Sequence, residues 1–278
     1  MIYLIFAVLC SAGVSVVMRF SVGHSENNLT MLTAGYFSCT VIALFHTIRG
    51  GSDFNFHEAC SPVACGIIAG ILLLAGFIFL QINVRLNGVV LSGIFAKLGV
   101  LVPTVISVTF FGESPGILQV IGFIMALAAI VLINSDQGKR KVNSGFCLIM
   151  LLLSNGSADG MSKIYEELGY ESMQDYYLLI SFAVALLLSL ILVVYKKQGI
   201  TQADIGFGLL LGVPNYYSMR FLVKALSDVP AILAYPTYSV ATIVVITVAG
   251  VIFFNEKLSS RQKISFGIII GALVLLNL

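Results

Sequence analysis

Two formal charges stand inside stretches that otherwise read as hydrocarbon. Lys97 lies in GVVLSGIFAKLGVLVPTVISVTFFGE (88–113), and Asp159 in SNGSADG (154–160). A fixed charge at the middle of a bilayer costs at least ~2.5–3.5 kcal/mol unless it faces a partner or a water-filled cavity. Lys97 falls about ten residues into its span and Asp159 about fifteen into its own, so at ~1.5 Å per residue their depths differ by about 7–9 Å, within reach of an extended lysine. Two readings follow. Either the pair forms an internal salt bridge, or the lysine snorkels and Asp159 already lies at the interface. Alternatively, the two bind opposite ends of a zwitterion, with Asp159 able to titrate and couple protons to movement. Lys97 alone would hold an anionic group.

Other polar side chains gather near prolines. Pro214 is followed by Asn215, Tyr216 and Tyr217, and it frees the carbonyl of Leu210. Opened backbone within a membrane is tolerated where it lines protein or water. The segment is therefore either a cavity wall or a structural bend. Tyr235, Pro236 and Tyr238 repeat the theme, with the two tyrosines three apart on one helix face. Their rings suit stacking on a planar or cationic group, and an interfacial belt is the rival placement for Tyr235. Pro103 supplies the bend in the span of Lys97, and Gln81 and Asn83 are further candidate cavity amides.

The elements that must hold these residues are membrane helices. Of 278 residues, 59% are hydrophobic and 10% charged, against about 25% charged in soluble domains. Net charge is +2, and no basic run exceeds Lys139–Lys141, so nucleic acid is not an expected partner. The five cysteines and three histidines show no ligand spacing, so neither metal nor cofactor is expected. The first apolar segment starts at Met1 without a basic leader and reads as a retained helix.

Apolar runs predict ten spans, near 2–20, 30–48, 62–84, 88–111, 117–134, 144–162, 175–195, 204–226, 230–254 and 262–278. The midpoint separates two related units. FFGESPGILQVIGFIMALAAIVLIN (110–134) aligns without gaps on FFNEKLSSRQKISFGIIIGALVLLN (253–277), and Phe110, Glu113, Gln119 and Phe123 recur as Phe253, Glu256, Gln262 and Phe266. The expected organisation is a first repeat over 1–134, a linker over 135–143 and a second repeat over 144–278. Five helices per copy is an odd number, so the second repeat is inverted. The fold class is all-α integral membrane: ten transmembrane helices as two inverted five-helix repeats, with a site at their interface. Glu113 and Glu256 are expected to favour the N-termini of the helices that follow them. Arg49, Lys163, Arg220 and Lys224 count as loop charges on one side; the larger basic set on the other side places both termini outside.

The two closing segments resemble the last helices of each half of the EamA-type drug/metabolite transporters, and KALSDVPAILAYPTYSV (224–240) resembles the small multidrug resistance proteins of the same superfamily. The resemblance implies a substrate pathway between helices one, three, four, six, eight and nine. It also implies a rim contact of helices five and ten, for which GIIIG (267–271) has close-approach spacing. The small multidrug proteins carry a proton-exchanging glutamate in helix one, eight residues before the basic residue that closes it. Here that position is Ser11 counted from Arg19, and Asn155 counted from Lys163. Neither titrates near neutrality, so cation/proton exchange by that route is not supported. The family's tryptophan in helix four would fall at Phe95 in one half and Tyr238 in the other.

The expected function is a secondary transporter moving a small polar metabolite, amino-acid-like or an organic amine, by alternating access. The expected location is a cell membrane of the bacterial plasma-membrane kind. Its partners are the small-molecule substrate and the lipid bilayer, with the chain acting as monomer or homodimer. Substrate-binding candidates are Lys97, Asp159, Asn155, Asn215, Tyr216, Tyr217, Tyr235, Tyr238, Phe95 and Ser11. Alternatives are a lipid-linked sugar flippase and a non-transporting receptor or assembly protein. An enzyme would need a nucleophile–base pair, a metal cluster or paired carboxylates near the helix centres, and the spans offer one acid.

Overall fold

A computed structural model of the chain describes residues 1–50, 60–87, 89–134, 144–254 and 260–276. These form α1 (Ile2–Ser21), α2 (Asn28–Gly50), α3 (Cys60–Asn87), α4 (Val89–Leu98), α5 (Leu101–Phe110), α6 (Ile117–Asn134), α7 (Gly145–Leu168), α8 (Gln174–Tyr195), α9 (Gln202–Leu226), α10 (Ala231–Phe254) and α11 (Ser260–Leu276), with one 3-10 turn at Glu171–Met173. No strand occurs among the described residues. Taken together, α4 and α5 make one broken span, which gives the ten-helix, two-repeat architecture. Six stretches are long and apolar enough to cross a bilayer by length and composition, and α6 and α11 are apolar but shorter. The 135–143 linker with Lys139, Arg140 and Lys141, and also His57, Glu256 and Lys257, lie outside the described residues.

Packing divides the chain into two units that differ from the sequence halves. One comprises Met1–Leu74 with Met161–Ser227, the other Ala75–Gly160 with Asp228–Leu278. Each draws helices from both halves, and α3 and α7 contribute residues to both.

In the first unit α9 packs on α1 and α2, and α2 on α8. Lipid offers no hydrophobic drive between helices, so small residues that let backbones approach carry the association. Gly208 and Gly212 of α9 meet the backbone of Met31 and Gly35 on α2, and Gly66 and Gly70 of α3 meet the carbonyls of Tyr177 and Ser181 on α8. Around these seams Tyr36, Cys39, Tyr177, Phe182 and Tyr216 form a buried core. At one end Asp204, fully buried, accepts the Ser25 hydroxyl at 2.6 Å and the N–H groups of Glu26, Asn27 and Thr201 at 3.0, 3.2 and 3.2 Å. Thr201 Oγ1 accepts the Asp204 N–H at 3.1 Å, closing a capping box on α9. One carboxylate thus ties the α1–α2 turn to the start of α9.

In the second unit α6 packs on α11 as expected, but not through GIIIG. Nothing lies within 4 Å of a Cβ placed on Gly267, and Gly271 meets only Met125. The close approach belongs to Gly122, where a Cβ would stand 3.0 Å from the Ala272 carbonyl. Ala126, Ala129, Ile130, Val240, Ile269 and Ala272 fill the core there.

The expected role of Glu113 also changes partner. Gly112, at φ 67°, reverses the chain after α5, and Glu113 then caps α10 instead of the following helix. Its two carboxylate oxygens accept the N–H groups of Ala231 at 3.0 Å and Ile232 at 2.9 Å, two of the four donors a helix start leaves unmatched. The following helix, α6, is capped by its own Gln119, whose Oε1 accepts the Gly116 N–H at 3.0 Å. Glu113→Ala is expected to destabilise the protein by about 1–2 kcal/mol. Thermal unfolding in detergent measures this, and Gln119→Ala on the exposed turn should cost less.

Two span ends move outward for stated reasons. The sixth span continues to Leu168 because Lys163, 2% exposed, is matched by Glu166 at 3.0 Å and Glu167 at 2.5 Å on the next turn. Lys163 is therefore a buried, paired residue and not a loop charge. Arg220 is likewise inside α9, paired with Asp175. The third span continues to Asn87 because Asn83 donates to the Phe79 and Cys147 carbonyls at 2.8 and 2.7 Å, and Asn87 donates to Asn83 and to the Ser144 carbonyl. Asn83 staples α3 to the start of α7, which corrects its assignment as a cavity amide.

Candidate functional site

Lys97 occupies the last turn of α4, just before the chain leaves helical form at Gly99–Val100. Pro103 explains the break, because it has no N–H to offer the Gly99 carbonyl. That carbonyl instead takes the Val102 N–H at 2.9 Å, and the Lys97 carbonyl takes the Val100 N–H at 3.3 Å. A side chain at 99 would crowd main chain: a Cβ would stand 3.0 Å from the Ala96 carbonyl, 3.1 Å from the Gly156 nitrogen and 3.3 Å from the Leu152 carbonyl. The broken turn therefore rests directly on α7. Farther along, Val102 sits over Gly156 and Ile106 over Gly160. Between those two glycines lies Asp159.

Lys97 and Asp159 are half-buried and feel each other's charge. Among the described residues, none of the ion pairs within 4.0 Å includes either one. Each charge is held in the other's field without being consumed by it. Such an arrangement suits a guest that carries an anion and a cation of its own.

The surrounding side chains divide into those already bound to protein and those half-exposed. Tyr235, 1% exposed, donates its hydroxyl to the Asp159 carbonyl at 2.6 Å, so it fixes the turn of α7 that carries the carboxylate. This is a buried placement, not an interfacial belt. Asn155, one turn before Asp159, lays its side-chain oxygen against Gly76 of α3, where any Cβ would displace it. Phe95 on α4 and Tyr238 on α10 are half-buried. These six candidates all belong to the second unit.

The other four belong to the first unit, where the structure gives them packing partners. Asn215 donates to the Cys39 sulfur at 3.7 Å. Tyr216 is fully buried, accepts from Arg220 at 2.6 Å and stacks on His46 with centroids 5.7 Å apart and 12° between planes. Tyr217 meets His46 Nε2 at 3.2 Å and stacks on Phe221 at 5.8 Å. The helix runs unbroken through Pro214, which lies 3.4 Å from a Cβ placed on Gly13 of α1, and Ser11 is half-buried on that helix. No sequence spacing singled out His46; its partners come from α9 and only folding brings them together. The break at Gly99 had a local signal, a glycine four residues before a proline.

A family match decides the class. The model of the EamA-like transporter family matches residues 1–135 and 145–278. The chain belongs to the EamA-like transporter family. An uncharacterized protein of Haemophilus influenzae is 26% identical to this EamA-family chain over 272 residues, 92% of this chain and 90% of its own length. The uncharacterized membrane protein YvaE of Bacillus subtilis is 43% identical over 61 residues, 22% of this chain and 51% of its own. A protein of solved crystal structure superposes with a TM-score of 0.80 at 16% identity, covering 99% of this chain and 98% of its own, a likeness of fold. As an EamA-family member the chain is a multi-pass membrane protein of a transporter family, and members of that family are transporters and not enzymes.

Proposed function

We propose that the protein is a secondary transporter for a small polar metabolite bearing an amine, an amino acid or a close relative. Lys97 holds the carboxylate end and Asp159 the ammonium end. The observation that carries this reading is the charge pair that is coupled but unjoined, set at a broken helix turn. Two opposite charges within hydrocarbon depth are stabilised most when a guest supplies the complementary pair. Tyr235 and the glycine contacts of Gly99 and Gly156 hold the two helices, so little ordering is left for the substrate to bring about. Alternating access, with the site facing one side and then the other, fits the two-repeat plan of the family. The bacterial relatives support a bacterial plasma membrane as its location.

A thermal-shift screen of the purified protein against amino acids, amines, sugars and nucleotides tests the reading. A ligand at a hundred times its Kd stabilises by about 2.7 kcal/mol. Stabilisation by zwitterions, stronger than by the matching amine or acid alone, is the expected outcome. Stabilisation by sugars or nucleotides and not by amino acids or amines would overturn it.

A further inference from the structure

At one end of the first unit, where α7, the 3-10 turn, the start of α8 and the end of α9 meet, lies a cavity of about 230 Å³. It is lined by Tyr165, Glu166, Tyr170, Glu171, Gln174 and Ser227 among others. None of these residues belongs to the Lys97–Asp159 site. Drug-sized pockets occupy about 300–1,000 Å³, so this one suits a smaller molecule.

Its walls are fixed before anything enters. The Tyr165 ring stacks on Tyr177 with centroids 4.3 Å apart and 4° between planes, and its hydroxyl donates to the Tyr170 carbonyl at 2.7 Å. Gly169 N–H donates to the Tyr165 carbonyl at 2.7 Å, and a Cβ on Gly169 would fall 2.5 Å from the Tyr165 ring. Gln174 donates to the Arg220 carbonyl at 3.3 Å. A wall held by stacking, by main-chain hydrogen bonds and by an obligatory glycine is a built feature.

The charges around it are unequal. Lys163 is engaged by Glu166 and Glu167, and Arg220 by Asp175. Glu171 lines the cavity from an exposed position, and no cation pairs with it among the described residues. Tyr165 is itself 2% exposed, so the exposed ring at the cavity is that of Tyr170, and a carboxylate with no cation paired to it favours a cation over an anion or a neutral sugar.

We propose that this cavity binds a small organic ammonium, with the charge at Glu171 and the alkyl part against the exposed Tyr170. The proposal stands on the cavity's own geometry and does not depend on what Lys97 and Asp159 hold. Placed at a helix-end junction, such a site would gather amine-bearing solutes at the protein's surface.

Calorimetric titration of the purified full-length protein with n-butylammonium, and with butyrate as the anionic match, tests it. The expected result is saturable binding of the amine and none of the acid. Glu171→Gln should weaken amine binding by about tenfold, the loss of one charge-assisted contact, and Glu171→Asp should recover part of it. Asp159→Asn, which removes the acid that would hold an ammonium in the transport reading, should leave the Glu171-dependent binding in place, so a failure of the transport reading would not touch this one. Because Glu171 is exposed, its replacement leaves the fold intact, which thermal unfolding verifies. Equal binding by Glu171→Gln, binding lost in Asp159→Asn instead, or no saturable binding of the amine to the unaltered protein would overturn the proposal.

Discussion

Lys97→Ala is expected to lower substrate uptake into proteoliposomes by roughly 30- to 5,000-fold, because removing one member of a buried charged contact costs about 2–5 kcal/mol. Yield and thermal stability should change far less than transport, since no ion pair within 4.0 Å among the described residues includes the ammonium. Asp159→Asn provides the matching half. Tyr235 bonds the main-chain carbonyl of residue 159 and not its carboxylate, so the variant keeps the helix contact and loses only the charge. It should lose affinity for the ammonium end, and if Asp159 also carries the coupling proton, the pH dependence of uptake should flatten. Unchanged uptake in Lys97→Ala would remove the residue from the site.

Gly212→Leu should destabilise the first unit by at least ~3 kcal/mol, the upper range for overpacking, with backbone displacement added. A Cβ there would strike the Gly35 carbonyl and lie 2.5 Å from the Ser38 Cβ. The neighbouring helix offers main chain at that point and cannot rotate away. Gly267→Leu is the control. It sits in the same Gly-x-x-x-Gly spacing, on an exposed face with nothing within 4 Å, and should be neutral within about 0.5 kcal/mol. Detergent-resistant thermal unfolding of both variants compares them directly. Equal loss in the two would show that the motif, and not the observed contact, governs stability.

That contrast also marks how far the sequence could be read. Span number, the internal repeat and the family followed from apolar run length and from residues such as Glu113 and Phe123 recurring at a fixed offset. Lys97 and Asp159 stood out because a charge in a span has few reasons to be there. What needed coordinates was pairing. GLLLG (208–212) and GIIIG (267–271) are equivalent as strings, and only the first meets a partner backbone. Glu113 was legible as a cap, but its helix lies more than a hundred residues away in the chain. Lys163 looked like a loop charge because Glu166 and Glu167, which match it, lie past the predicted end of its span at 162, and Arg220 finds its match, Asp175, on a different helix. The partners of Asp204 come from a turn at the opposite end of the sequence, with no local pattern to announce them.

The mixed ancestry of the two packed units has a consequence for biosynthesis. Residues 1–74 find their companions in 161–227, and residues 75–160 in 228–278. While the ribosome is still producing the early helices, Gly35 and Gly122 must wait in the bilayer with nothing to seat against, until Gly212 and Ala272 have been inserted. Closure of those two seams is therefore deferred to the last third of translation, and a polypeptide halted at the midpoint would leave both seams open to quality-control proteases.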